Sequence, residues 1–136
     1  MTYLFEKDPV GGIILVSIRL DAIYKFEMVL DTGAAVTTFD INALHFWGYP
    51  VGKILETHLV ETAAGIIDVG VIETNAISAF GHEVRHMKVQ AYDFLAHGIL
   101  SEYDGVLGLD FFENTKFCID MTEQTIEVVR KNSAGV

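Results

Sequence analysis

The interpretation of this chain depends on the stretch Val29-Leu30-Asp31-Thr32-Gly33-Ala34. Two apolar residues precede an acidic one, and Thr32-Gly33 then lets the backbone turn sharply. A second apolar run ends in glycine late in the chain, as Val106-Leu107-Gly108, and leads into Leu109-Asp110-Phe111-Phe112. Both stretches predict a buried strand that ends in a glycine turn, and together they form a weak internal repeat.

The composition sets the class of protein. The chain has 136 residues, of which 51% are apolar and 21% charged, as in a folded globular protein. This length predicts a single domain over residues 1–136. Nineteen acidic residues against nine basic ones give a net charge of −10, which repels phosphate backbones and anionic lipids. We therefore expect no nucleic-acid partner and no docking on a membrane surface.

Cysteine content and hydropathy bear on location. Cys118 is the only cysteine, so no disulfide forms within the chain, and its apolar surroundings predict a small buried side chain. The most apolar run, Val10 to Leu20, is too short and too interrupted to span a bilayer. The N-terminus lacks the pattern of a signal peptide. We expect a cytoplasmic protein with no membrane segment in this chain.

The remaining pattern is mostly that of β-strands with one or two short helices. Two β-rich runs around Asp21-Ala22 predict a hairpin whose turn type stays open. Asp40 is suited to cap a short helix that ends at Gly48. The elements expected after the first hairpin are a helix over Ile41–Trp47, extended arms over Ile54–Thr62, Ile66–Ile77 and Glu83–Tyr92, and final strands over Lys116–Asp120 and Thr125–Arg130.

These two glycine-turn stretches, with Glu61-Thr62-Ala63-Ala64-Gly65 between them, resemble the retropepsin-like aspartic proteases. The resemblance extends over roughly residues 13–128 and is closest to the cellular, single-domain type. It implies an all-β, retropepsin-like closed barrel with a flap hairpin. It also implies a hydrolase, an aspartic-type endopeptidase that acts on peptide or protein substrates.

The same resemblance assigns roles to individual residues. Asp31 becomes the catalytic residue, and Thr32 reaches across a two-fold axis to lock two loops together. An extended peptide binds as an added strand beneath the flap. By resemblance, the catalytic loop is supported by Thr32, Gly33 and Ala34, the flap tip is Ala63, Ala64 and Gly65, and the strand packed around the loop is Val106, Leu107 and Gly108.

The chemistry of this family explains why two chains are expected. Two carboxylates held about 3 Å apart share one proton, so one acts as base and the other as acid. The chain contains a single Asp-Thr-Gly. A homodimer with Asp31 from each chain at its two-fold axis completes the pair. This mechanism needs no metal and no other cofactor.

One departure from the family concerns the neighbours of the catalytic loop. Many viral members have a second Asp after Asp-Thr-Gly-Ala, and it pairs with an Arg after the late glycine. Ala35 and Leu109 occupy these places here. Since both partners of the ion pair are missing together, we expect an apolar contact in its place.

A rival motif is His82-Glu83-Val84-Arg85-His86, which matches the H-E-x-x-H pattern of zinc proteases. That chemistry requires a helix, and Glu102 or Glu113 would serve as third ligand. The β-rich surroundings instead predict a strand, on which the two histidines lie about 13 Å apart and face solvent. A zinc protease stays open as an alternative, as does a non-catalytic module of the same fold that binds a peptide or dimerises.

Several further side chains have expected structural roles. We expect Asp104 to brace the late loop and Asp110 to cap the short helix that follows it. The aromatic residues expected in the core are Phe46, Trp47, Phe111 and Phe112.

Overall fold

A computed structural model describes residues 1–50, 54–62, 65–99 and 101–131. Within these ranges the chain forms thirteen strands, one α-helix and two 3-10 helices, at Leu95–His97 and Leu109–Phe112. The prediction of a mostly β chain with short helices is confirmed. The elements are β1 Thr2–Leu4, β2 Glu6–Lys7, β3 Ile14–Leu20, β4 Tyr24–Leu30, β5 Thr38–Asp40, α1 Ile41–Phe46, β6 Ile54–Thr62, β7 Gly65–Glu73, β8 Ala76–Ala79, β9 His82–Arg85, β10 Lys88–Tyr92, β11 Gly105–Leu107, β12 Thr115–Asp120 and β13 Thr125–Arg130.

The strands form one large and one small sheet. The large sheet has the order β6-β7-β10-β5-β11-β4-β3-β8-β9, with β2 added to β3. The small sheet has the order β1-β13-β12. Most neighbours are antiparallel, but β5 pairs with β10 and β4 pairs with β11 in parallel. These two parallel pairs bring segments that are distant in sequence to the centre of the sheet.

The first predicted hairpin is present, and its turn has a defined type. Asp21 and Ala22 both have positive φ, 53° and 61°, and Ile23 N donates to Leu20 O at 3.2 Å. This is the type I′ geometry, whose twist matches that of the flanking strands. The Asp21 carboxylate accepts from the amides of Asn75 and Ala76 and so ties the turn to the start of β8.

Two predicted long arms are each broken by a turn. The arm over 66–77 divides into β7 and β8, and the arm over 83–92 divides into β9 and β10. Thr74 makes both breaks possible, because its amide and its hydroxyl donate to Met87 O at 3.0 and 2.9 Å. His86, between β9 and β10, has a φ of 56°. Both arms are extended, as predicted, but each is interrupted by a turn, and Thr74 bonds to Met87 where the two turns meet.

The core lies between the inner faces of the sheets and the late 3-10 helix. Phe26, Phe39 and Phe111 are fully buried, and Phe112 is 4% exposed. The core role expected of Phe111 and Phe112 is confirmed. Other fully or almost fully buried side chains are Val16, Ile18, Leu20, Met28, Leu44, Ile77, Leu107 and Ile126.

Three expectations of burial are wrong. Phe46 and Trp47 are 79% and 51% exposed, because α1 is short and turns only Leu44 toward the core. Phe46, two residues further on, points about 200° away around the helix. Cys118 is exposed because the alternation of β12 directs Phe117 and Ile119 inward instead.

No helix within the described ranges has the length and apolar content needed to cross a bilayer.

Candidate active site

The Asp31 loop follows directly from β4. Asp31 N donates to Leu107 O at 3.1 Å, and Ala34 N donates back to Asp31 O at 3.1 Å. Gly33 N donates to Asp31 Oδ1 at 2.8 Å, which fixes the plane of the carboxylate. Asp31, Thr32 and Gly33 are exposed, and Ala34 is half-buried. The loop therefore presents an oriented carboxylate at the surface.

The strand β11 holds this loop from behind. It lies between β4, with Val106 opposite Val29, and β5, with Val106 opposite Thr38. Leu107 is fully buried beneath the loop. The structure thus brings Val106, Leu107 and Gly108 together with the Asp31 loop.

Two glycines allow this close packing of backbones. A Cβ built on Gly105 would lie 2.3 Å from Thr38 O, and one on Gly108 would lie 2.8 Å from Ala34 O. Real Cβ atoms do not approach so closely, so neither position accepts a side chain without movement of the backbone. The approach is closer at Gly105, a residue for which the sequence pattern indicated no role.

The joint between the loop and the late 3-10 helix is made of hydrogen bonds. Asp110 accepts from Thr37 N at 2.9 and 3.0 Å and from the Thr37 hydroxyl at 2.6 Å. Leu109 N donates to Ala34 O at 2.8 Å. The Ala35 and Leu109 side chains, for which the sequence predicted an apolar contact, are both exposed.

Asp110 therefore has a different role from the one expected. The late 3-10 helix has Gly108 at its N-cap and no side-chain cap, so Asp110 does not cap it. Its carboxylate instead accepts from both the amide and the hydroxyl of Thr37, and these charge-assisted hydrogen bonds satisfy it. The residue anchors β5 to the helix.

Asp104 braces the start of β11, as expected. Its carboxylate accepts from Glu27 N at 2.8 Å, its amide donates to Glu27 O at 2.9 Å, and its carbonyl accepts from Asp40 N at 2.8 Å. Burial raises the pKa of this carboxyl above its ordinary value, although the hydrogen bond from Glu27 opposes the shift. The α1 cap, where Asp40 accepts from Asn42 N at 3.2 Å, also agrees with the prediction.

An apolar cleft of about 210 Å³ opens beside Asp31. The β6–β7 hairpin supplies one wall through Val60, Ile67 and Val69, and Tyr92 and Phe94 close one end. Of the predicted tip residues, Gly65 opens β7 with a φ of 117°, whereas Ala63 and Ala64 lie outside the described residues.

Sequence reasoning missed the two aromatic residues of the cleft. Tyr92 reaches the site because β10 pairs in parallel with β5, with Tyr92 opposite Asp40. Its ring also packs on Phe94, with centroids 4.8 Å apart. No local pattern signals this pairing, since it joins segments about fifty residues apart.

Comparison with known proteins relates the fold of this chain to that of a solved structure. The sequence matches no protein-family model, and no curated protein gives a significant match. The structure matches a crystal structure described as a retropepsin-like aspartic protease from Rickettsia conorii, with a TM-score of 0.66 and 19% identity over 94% of this chain and 89% of that chain. The fold is retropepsin-like. Because fold does not by itself carry function, the chemistry open to this retropepsin-like chain depends on its own residues.

The H-E-x-x-H motif of the retropepsin-like chain lies on a strand, β9, and the turn after it. His82 is 3% exposed, with Nε2 3.0 Å from Phe111 O, whereas His86 is exposed. The strand prediction is confirmed, but the expectation that His82 faces solvent is wrong. In the described part of the chain, no three His, Cys, Asp or Glu side chains, Glu102 and Glu113 included, are grouped to hold a metal ion. The helix that the zinc hypothesis requires is replaced by a strand.

Proposed function

We propose that the protein is an aspartic endopeptidase that acts as a homodimer, with Asp31 of each chain forming the catalytic pair. One observation carries this proposal: the Asp31 carboxylate, oriented by Gly33 N, lies exposed beside an apolar cleft beneath the β6–β7 hairpin. The retropepsin-like fold supports it, because that fold is shared with a protein described as an aspartic protease.

The proposed reaction uses the two carboxylates as a unit. Sharing one proton, they provide a base that takes a proton from water and an acid that protonates the peptide carbonyl oxygen. The water oxygen bonds to the carbonyl carbon. One carboxyl then gives its proton to the nitrogen as the C–N bond breaks, the other carboxylate takes a proton from a hydroxyl of the gem-diol, and the pair again holds one proton. Hydrogen bonding from Gly33 N keeps the Asp31 carboxylate from rotating between these steps.

A dimer is required because the chain supplies one Asp-Thr-Gly. In the proposed dimer the exposed Thr32 reaches the loop of the partner across the axis, and Gly33 and Ala34 shape the turn. The tip of the flap, formed by Ala63, Ala64 and Gly65, closes over a peptide that lies in the cleft as an added strand.

The test compares the wild type with Asp31→Asn, using a peptide library as substrate. We expect Asp31→Asn to lose cleavage while it keeps its circular dichroism spectrum, and Glu123→Gln, on the exposed β12–β13 turn, to cleave like the wild type. Cleavage should be strongest on the acid side of neutrality and blocked by a pepstatin-type inhibitor. Wild-type rates in Asp31→Asn, or activity that a zinc chelator abolishes, would refute the proposal.

The state of assembly provides a second test. A dimer in which the two Asp31 carboxylates meet at the axis is expected from a crystal structure or from distance measurements between spin labels. A stable monomer at concentrations where peptides are bound would contradict the proposal and would favour a non-catalytic peptide-binding module.

A further inference from the structure

Acidic and basic residues are segregated along the chain. Residues 26–84 contain eight Asp or Glu and a single basic residue, Lys53, and residues 89–115 contain five Asp or Glu and no Lys or Arg. These segments build the Asp31 loop, α1, the β6–β7 hairpin and β11. Of these thirteen carboxylates, Asp31 lines the cleft, and Glu61, Asp68 and Asp93 each directly adjoin a lining residue in the sequence.

The hairpin presents two of these carboxylates beside the cleft. Glu61 on β6 and Asp68 on β7 are exposed, and they alternate with the cleft-lining Val60, Ile67 and Val69. Because side chains alternate between the two faces of a strand, each carboxylate follows or precedes a cleft residue directly. The hairpin thus has an apolar inner face, and its outer face carries these two carboxylates beside the exposed Leu59 and Ile66.

A pair of carboxylates lies at the aromatic end of the cleft. Asp93 stands between the lining residues Tyr92 and Phe94, and the Asn42 side-chain amide donates to Asp93 at 2.8 Å and to Asp40 at 3.1 Å. The amide of Ala96 and the Asn42 side chain hold the pKa of Asp93 below its ordinary value. Asp93 consequently stays ionised at the mildly acid pH where an aspartic protease works.

The basic residues lie at the opposite ends of the same strands. Lys25 is the second residue of β4, six residues before Asp31 and about 20 Å away, and Lys88 begins β10 four residues before Tyr92, about 13 Å away. Lys88, Arg85 and Arg130 line a different groove. Within the described ranges no Lys or Arg forms an ion pair with the cleft carboxylates, which are Asp31, Asp40, Glu61, Asp68 and Asp93.

We infer that this cleft selects cationic peptides, in which Lys or Arg flanks an apolar residue at the bond to be cleaved. This inference rests on the proposed function for its site. The apolar walls accept the uncharged side chain, while the carboxylates around them attract flanking cations and repel flanking anions. The field also raises the rate of encounter, an effect that salt screens over about 10 Å at 0.1 M.

The experiment uses matched peptides that share one apolar core and differ only in flanking Lys, Gln or Glu. At low salt we expect kcat/KM to be about tenfold higher for the Lys peptide than for the Glu peptide, and the ratio to shrink severalfold when salt is raised. The double variant Glu61→Gln/Asp68→Asn should lower the ratio, and the remote Glu123→Gln should leave it unchanged. Equal cleavage of the Lys and Glu peptides by the wild type would overturn the inference.

Binding to Asp31→Asn separates this inference from the proposed function. Titration of fluorescent forms of the same peptides should show the same order of affinity, Lys before Gln before Glu. Selective binding without any cleavage by the wild type would support the inference and refute the protease. Cleavage without charge selectivity would refute the inference alone.

Discussion

The Thr37 hydroxyl donates to the Asp110 carboxylate at 2.6 Å and accepts from Gly108 N at 3.0 Å. The Thr37 side chain is fully buried, and its amide also donates to Asp110. A single residue after the Asp31 loop is therefore bonded to both the end of β11 and the late 3-10 helix.

Replacing this hydroxyl tests how much the joint stabilises the fold. Thr37→Val keeps the shape of the side chain but leaves Gly108 N without its acceptor and removes the hydroxyl donor to Asp110, which keeps only its bonds from Thr37 N. We expect the free energy of unfolding to fall by about 1–3 kcal/mol, measured by urea denaturation. Thr37→Ser retains the hydroxyl and is the matched control. Equal losses of stability in Thr37→Val and Thr37→Ser would show that the hydroxyl contributes nothing to the stability of the fold.

Gly105 tests the close approach of β11 to β5. In Gly105→Ala the new methyl group would lie 2.3 Å from Thr38 O and 2.9 Å from Phe39 Cα, so backbone must move. We expect destabilisation of about 3 kcal/mol or more, or failure to fold. Gly11→Ala is the control, because its nearest neighbour would lie at 3.5 Å and its effect should stay within about 0.5 kcal/mol. Similar stabilities for the two variants would contradict the packing described.

His82 predicts loss of stability in acid. Its Nε2 bonds Phe111 O, while Nδ1 is buried and has no hydrogen-bond partner among the described residues. Burial, with a smaller effect of Arg130, holds the pKa of His82 below its ordinary value of 6.5, against the opposing bond to Phe111. The unfolded chain therefore binds this proton more readily, and the free energy of unfolding should fall as pH drops below about 6.5.

The measurement compares chemical denaturation at about pH 7.5 and pH 5.5. His82→Leu removes the titrating group and should flatten the fall in stability between these values. His86→Asn is the control, since His86 is exposed and asparagine tolerates its positive φ of 56°. If the free energy of unfolding falls as much in His82→Leu as in the wild type, groups other than His82 cause the response to acid. His82 lines a groove whose other charged residues are Glu83, Arg85, Lys88, Asp110, Glu113 and Arg130.

The net charge makes a prediction about the proposed dimer. Each chain has a net charge of −10, so a dimer carries −20, and the repulsion between the two chains opposes association. We expect the dissociation constant to fall severalfold when salt rises from about 0.05 M to about 0.5 M, as measured by sedimentation. Partial protonation of carboxylates near pH 5 should act in the same direction. A dimer that weakens with salt would show that ion pairs dominate its interface.

Local sequence patterns determined much of the fold. The alternation of β3 and β4, the Asp40 cap of α1, and the turn at Asp31-Thr32-Gly33 each depend on neighbours within a few residues. Those features follow from backbone preferences and from short-range hydrogen bonds. The candidate catalytic carboxylate was accordingly predictable, whereas the strand that packs behind it was expected only from the family resemblance.

Pairing between distant strands decided the rest. Tyr92 enters the cleft through the parallel pairing of β10 with β5, and Asp110 meets Thr37 from 73 residues away. Cys118 and His82 lie on strands that were predicted, yet the buried face of each strand was assigned wrongly. Periodicity shows that two faces differ, but only the packing of the folded sheet determines which of them loses contact with water.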